Sequence, residues 1–261
     1  MLSHERNGLV TGSNAHRVMA GWRDELECNK YVFEPFDGWE IAHKLILGGT
    51  TAIKDIKPHV DINMEKKERI LKLIKSQDKT LSDGMYGYAM EIAMNHFVET
   101  VEEGYKNEAM VNGEINEMAS VAAAERYLGF EFDNTGDDQD FYKLDDIGLT
   151  PDGVKYNESF LLECGLEVKS PTQKVHFYNV NNIKTQEDLL KYHPVYYWQC
   201  MAGLAVTGVN TWHWFSHNDS FIDKMKLVYV KVEPIEEQIE ILLRRAKIVK
   251  GLSNDIIEKL K

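Results

Sequence analysis

Two β-type runs, FYKLDDIGLTPDGVKY and SFLLECGLEVKS, follow one another within residues 141–170 and constrain the fold more than any other part of the chain. The turn-like Tyr156-Asn157-Glu158 separates them, which predicts a hairpin-like return. Side chains alternate faces along a strand, so Glu167 and Lys169 project to one side while Leu166 and Val168 project to the other. Asp152 lies 15 residues upstream of Glu167, before the turn, and the return brings it beside Glu167.

Helical patterns surround these strands. The N-terminus reads as a short loop, then a helix over residues 13–22 with Ser13 or Asn14 as its N-cap. Residues 40–105 read as largely helical. Within them Ile70, Leu73 and Ile74 form one stripe among Lys66, Lys67, Arg69, Lys72 and Lys75, which we read as a solvated face. A helix over residues 108–128 ends at Gly129, and another over residues 194–206 ends at Gly208. NTWHWFSH and KMKLVYVKVEP read as strands. Residues 236–261 read as a long amphipathic helix with Ile239, Leu242, Leu243, Ala246 and Val249 on its apolar stripe. The order predicts an α/β (mixed α+β) fold: a central mixed β-sheet flanked by helices, in a single domain over residues 1–261 with a helical insertion at about 40–105. Tyr196-Tyr197-Trp198 and Trp212-His213-Trp214 fit helix and strand packing and are expected in the core.

No segment approaches the roughly 20 consecutive apolar residues of a membrane span. MLSHERNGLV lacks the basic flank and apolar run of a signal peptide, so a cytoplasmic location is expected. Cys28, Cys164 and Cys200 are scattered without a CxxC pair, and the nine histidines show no ligand spacing. Both facts argue against structural zinc or an iron–sulfur cluster. A net charge of −12 speaks against a phosphate-rich partner. However, Glu131, Asp133, Asp137, Asp138, Asp140, Asp145 and Asp146 sit in one short stretch. An enzyme that holds divalent metals also needs carboxylates near the scissile phosphate.

Two carboxylates converging on a lysine suit phosphodiester hydrolysis. Mg²⁺ takes oxygen ligands and keeps several waters, so Asp152, Glu167, the Val168 carbonyl and a phosphate oxygen suffice to hold it. Lys169 would orient the attacking water and offset charge in the transition state. An E-x-K on a strand is by itself an ordinary solvated face, and Pro-Asp-Gly an ordinary turn. The three residues in this order, with a turn between them, carry the reading.

The segments TPDG (residues 150–153) and GLEVKSP (residues 165–171) resemble the "SPDG" and "GLE-x-K-x-P" motifs of the PD-(D/E)XK nuclease superfamily. Specifically, they resemble those of lambda-exonuclease-like (YqaJ-type) viral recombinase nucleases. The N-terminal "R-x-G-x-x-T-x-S" element of that family is matched by Arg6, Gly8, Thr11 and Ser13. Its "G-x-x-x-E-x-x-A" helix is matched by Gly113 and Glu117, with Ser120 at the final alanine, and its "Y-x-x-Q" helix by Tyr196 and Gln199. The resemblance implies a restriction-endonuclease-like sheet, with Asp152 and Glu167 as metal-binding carboxylates and Lys169 as catalytic lysine. It implies Glu117 as a further acidic ligand and Gln199 as a polar residue near the catalytic centre. Arg6, Thr11, Ser13 and Thr150 would form a pocket for the DNA 5′-phosphate, for which an arginine and hydroxyls near a helix start are physically suited. The implied activity is a Mg²⁺-dependent (or Mn²⁺-dependent) 5′-to-3′ exonuclease degrading one strand of linear double-stranded DNA in phage-type recombination. Its relatives act as a ring-shaped trimer and work with a single-strand annealing protein, and for a phage-encoded member the implied location is the host bacterial cytoplasm.

The sequence departs from the family pattern in places. Met201 stands where a second glutamine is common, Glu108 where a basic residue is expected (Lys106 is nearby), and residues 39–106 do not align. The stretch between Asp152 and Glu167 is also longer. Two rivals are a PD-(D/E)XK endonuclease and a CRISPR-adaptation-type iron–sulfur nuclease, the latter disfavoured by the missing four-cysteine cluster. A third is a non-catalytic DNA-end-binding protein, which has no need of a buried Asp–Glu–Lys set.

Overall fold

The computed structural model describes residues 8–20, 22, 83–98 and 108–261. The chain divides into two compact units, residues 1–19 with 87–261, and residues 20–86. The lysine stripe at residues 66–75, Arg6 and Cys28 lie outside the described residues.

In the larger unit a small sheet joins β1 (Val10–Thr11), β2 (Tyr142–Leu144) and β3 (Ile147–Leu149) in the order β1-β3-β2. β2 and β3 are antiparallel with Leu144 opposite Ile147, which leaves a two-residue loop. Asp145 takes φ 49° there, the left-handed conformation that such tight hairpin turns demand. Pro151, which has no N–H to donate, separates β3 from the main sheet. FYKLDDIGLTPDGVKY, expected as one run, is therefore three strands in two sheets.

The main sheet contains β4 (Gly153–Tyr156), β5 (Leu162–Lys169), β6 (Trp212–His217) and β7 (Leu227–Val232), in that spatial order. β4 and β7 run antiparallel to their neighbours, while β5 and β6 are parallel. The sheet is mixed, as expected.

The described helices bear out several boundaries. In chain order they are α1 (Ala15–Val18), α2 (Asp83–Phe97), α3 (Glu108–Leu128), α4 (Gln173–Asn182), α5 (Gln186–Tyr192), α6 (Pro194–Thr207) and α7 (Glu236–Leu260). Gly129 (φ 77°) and Gly208 (φ 71°) end α3 and α6 in left-handed geometry. The N-terminal helix is shorter than residues 13–22. A 3₁₀ turn, Gly12–Asn14, precedes α1, and neither polar side chain caps it. Asn14 instead donates to Thr11 Oγ1 at 3.0 Å. α4 and α5 are additions to the expected pattern. α5 starts with a capping box in which Thr185 and Asp188 each satisfy the other's backbone N–H.

Leu166 and Val168 of β5 pack with Phe215 of β6, Val121 and Ala124 of α3, and Phe132. Both are under 5% exposed, and each such burial stabilises by about 1.5–3 kcal/mol. The opposite face carries Gly165, Glu167, Lys169, Trp212 and Trp214, and α6 packs over it. Trp198, Trp212 and Trp214 are fully buried, as expected of core residues. The buried stripe of α7 contains the expected Leu242, Ala246 and Val249 and is wider than the apolar pattern. Gln238, Ile241, Leu242, Arg245, Ala246 and Val249 face inward, while Ile239 and Leu243 are only partly covered. Arg245 is drawn in because its Nη1 donates to the Val18 carbonyl at 3.0 Å, and Gln238 because it accepts from the Tyr197 hydroxyl at 2.8 Å.

Candidate active site

The β4–β5 hairpin places Asp152 as predicted. Gly153 sits opposite Leu166, and the Asp152 N–H donates to the Leu166 carbonyl at 3.1 Å. One residue before β4, the Asp152 side chain takes the place of a ladder partner. Its Oδ2 accepts from the Val168 N–H at 2.7 Å. In extended backbone a residue's N–H and C=O point to the same edge, so the Val168 carbonyl also faces the Asp152 side.

Glu167 is fully buried. Its Oε1 accepts from Lys169 Nζ, while its Oε2 has no partner. Burial and the neighbouring Asp152 and Glu117 carboxylates push the Glu167 carboxyl up to about 8, against the opposing pull of Lys169. Burial also raises the Asp152 carboxyl, against Lys169 and the Val168 amide. Burial works against the Lys169 ammonium, but Glu167 and Asp152 outweigh it and hold the amine charged. Two acids and one amine thus leave the site short of positive charge, with one carboxylate oxygen unpartnered.

That deficit fits a divalent cation. The donors on hand are all oxygens, as Mg²⁺ requires. Among the described residues no three His, Cys, Asp or Glu side chains cluster as an ion-holding group by themselves. Glu117, half-buried on α3, reaches the site electrostatically but is held by Gln139, whose Nε2 donates to its Oε1 at 2.7 Å. The oxygens that could hold such an ion are those of the two carboxylates and the Val168 carbonyl, with Glu117 beside them.

With Thr11, Ser13 and Thr150, Gln199 lines a cavity of about 140 Å³, closed by Gly12, Phe141, Gly148 and Leu149. Four expected polar residues, distant in sequence, thus meet around one hollow two residues from Asp152. The Tyr88 hydroxyl accepts from the Thr11 N–H at 2.9 Å and holds this loop.

Tyr196, matched in the sequence to the tyrosine of the Y-x-x-Q pattern and otherwise expected in the core, stands beside Lys169. It is half-buried, its ring lies 5.6 Å from Lys169 Nζ, and it stacks on Trp214 at 6.1 Å. Its placement one turn before Gln199 on the same helix face was the available signal. Gln139 was missed, because it acts only through Glu117.

A family model described as the YqaJ-like viral recombinase domain matches residues 38–210. No curated relative matches the chain. Among solved structures, the chain is similar to LHK-Exo, an alkaline exonuclease from Laribacter hongkongensis. A structure of that protein in complex with dAMP has TM-score 0.61 and 17% identity, covering 98% of this chain and 93% of that one. It is also similar to a phage related exonuclease from Haemophilus somnus 129PT, with TM-score 0.57 and 11% identity, covering 71% of this chain and 87% of that one. These likenesses concern the fold, while the match over residues 38–210 spans most of the chain and bears on descent. The chain belongs to the YqaJ-like viral recombinase domain family.

Proposed function

We propose that this protein is a divalent-metal-dependent exonuclease that degrades the 5′-ended strand of linear double-stranded DNA, working 5′ to 3′. The observation that carries the reading is Glu167: fully buried, beside Asp152, with one carboxylate oxygen lacking any protein partner. Burying charge this way is strongly destabilising unless a counter-charge completes it. A binding module gains nothing from it, whereas a nuclease gains a seat for a cation.

Asp152, Glu167 and the Val168 carbonyl would hold Mg²⁺ or Mn²⁺, with Glu117 adding negative charge alongside. Such an ion supplies Lewis-acid polarisation of the phosphate and a more acidic bound water. The chain's own residues do the rest. The Val168 N–H locks the Asp152 carboxylate in one orientation. Lys169 stays protonated, orients the nucleophilic water and offsets charge on the phosphoryl oxygens. Tyr196 covers one side of that ammonium and limits its motion. The cavity of Thr11, Ser13, Thr150 and Gln199 receives a terminal phosphate, with Arg6 as the expected cation. A terminal-phosphate pocket linked to the acids through Pro151 favours attack one nucleotide in from a 5′ end, and hence mononucleotide release. A mononucleotide, dAMP, is the ligand recorded for LHK-Exo. The proposal extends, by family likeness, to a trimeric ring, a single-strand annealing partner and action in a bacterial cytoplasm.

The test uses linear duplexes labelled separately at each 5′ and 3′ end, with and without terminal phosphate, alongside a covalently closed circle. We expect Mg²⁺-dependent release of acid-soluble nucleotides from 5′-phosphorylated ends and an intact circle. Lys169→Ala and Asp152→Ala should each lower the rate by about 10²-fold or more. Cutting of the circle favours an endonuclease, and an unaltered rate in Lys169→Ala overturns the assigned role.

A further inference from the structure

A second, larger cavity of about 550 Å³ opens one residue beyond Lys169. Asn116, Ser170, Thr172, Lys174, Asn218 and Ser220 line it, so its walls offer hydroxyls, amides and an ammonium. Its one acid, Asp219, sits 3.3 Å from His217 and 4.0 Å from Lys226, whose nearer partner is Asp223 at 3.1 Å. Ser170 is tied to α3 through Ser120 at 2.7 Å, one turn after Glu117, so the cavity is contiguous with the catalytic acids.

An aromatic ledge neighbours its lining along the chain. Phe177 follows Lys174 by one turn of α4, on the same helix face, and Phe221 follows Ser220. The two rings are stacked, 6.5 Å between centroids and 15° from parallel. Phe221 in turn lies 5.1 Å from His176. His176 is fully buried and held at both nitrogens, by Ser216 at 2.9 Å and the Met225 carbonyl at 2.7 Å. The ledge is therefore braced from behind, yet Phe177 is 57% exposed.

We propose that this cavity and ledge bind single-stranded DNA, with Phe177 as the stacking platform for an unpaired base and Lys174 as the cation for its phosphate. The inference rests on the nuclease reading, since removing one strand of a duplex leaves an unpaired strand beside the site. Within a duplex the paired bases keep their faces stacked on one another, so apart from the terminal pair only an unpaired base offers a face to the ledge. An aromatic ring beside a polar, cationic groove is the chemistry that single strands select.

The test is anisotropy of a fluorescent thymidine oligonucleotide of about 12 nucleotides with full-length protein in EDTA, where nothing is cut. Phe177→Ala should weaken binding about 5- to 100-fold. Phe177→Trp should restore it to within about twofold. Lys174→Ala should lower the slope of log affinity against log salt by about 0.7. Wild-type affinity in Phe177→Ala overturns the proposal. So does a change of oligomeric state in that variant with binding intact, which would make the ledge a protein interface. Digestion of a linear duplex by wild-type protein is measured in parallel. Phe177-dependent binding without digestion defeats the nuclease reading alone, and digestion with Phe177-independent binding defeats this inference alone.

Discussion

Replacing Glu167 by glutamine should make the metal-free protein more stable while destroying its activity. The folded carboxyl is pushed up to about 8 from an ordinary 4.5, chiefly by burial. The folded state therefore binds this proton more tightly than the unfolded chain, and stability falls as pH rises from about 4.5 to about 8, then levels off. Near neutrality the penalty is roughly 3–4 kcal/mol, at about 1.4 kcal/mol per pH unit. Glutamine removes the charge, keeps an oxygen to accept from Lys169, and puts an N–H donor where Oε2 has no partner. Lys169 then loses part of its counter-charge, so the net gain is about 2–4 kcal/mol. For a chain of this size that is roughly 4–16 °C in Tm. The assay is thermal melting of both proteins in EDTA across this pH range, then with added Mg²⁺. The gap should close toward pH 4.5, and Mg²⁺ should raise the Tm of the wild type more than that of the variant. A variant that melts at or below the wild type near neutral pH, or a gap independent of pH, refutes the reasoning.

Gln199→Ala should raise KM about tenfold or more for 5′-phosphorylated ends, the worth of a hydrogen bond to a charged group, and leave 5′-hydroxyl ends unchanged. Equal losses on both substrates would detach its cavity from the terminal phosphate. Gly165→Ala should destabilise by about 1–3 kcal/mol or more, read as a fall in Tm, because its Cβ would meet the Trp212 ring at 2.4 Å. A Cβ added at Gly203 would lie 2.5 Å from the same ring, so α6 packs close against the indole and leaves it little room to retreat. Trp212→Phe should relieve part of the added damage in the double variant, and strict additivity would show that the ring has room to move.

The chemistry was legible where it depended on neighbours along the chain. Asp152, Glu167 and Lys169 sit on a hairpin whose turn and alternation are visible residue by residue. Gly129 and Gly208 mark their helix ends for the same local reason. α4 carries no clear apolar stripe, and the one local mark of α5, the Thr185–Asp188 capping box, is too short a signal to predict a helix by itself. On α7 Leu242, Ala246 and Val249 are buried as their spacing predicts, but Arg245 and Gln238 also turn inward, for partners on Val18 and Tyr197 that are remote in sequence. Tyr196 looked like core among its aromatic neighbours, and only the packing of α6 over β5 separates it from Tyr197 and Trp198.

By itself the sequence determined the mixed sheet and the meeting of Asp152 with Glu167 and Lys169. A period of two and a short turn are properties of adjacent residues. Only the tertiary structure decided that Gln199 meets Thr11, Ser13 and Thr150 around one hollow, and that Gln139 holds Glu117. It alone decided, too, that Glu167 is sealed from water with an oxygen unpartnered. Those outcomes depend on which helix covers which face of the sheet, and desolvation of a charge is set by everything packed around it.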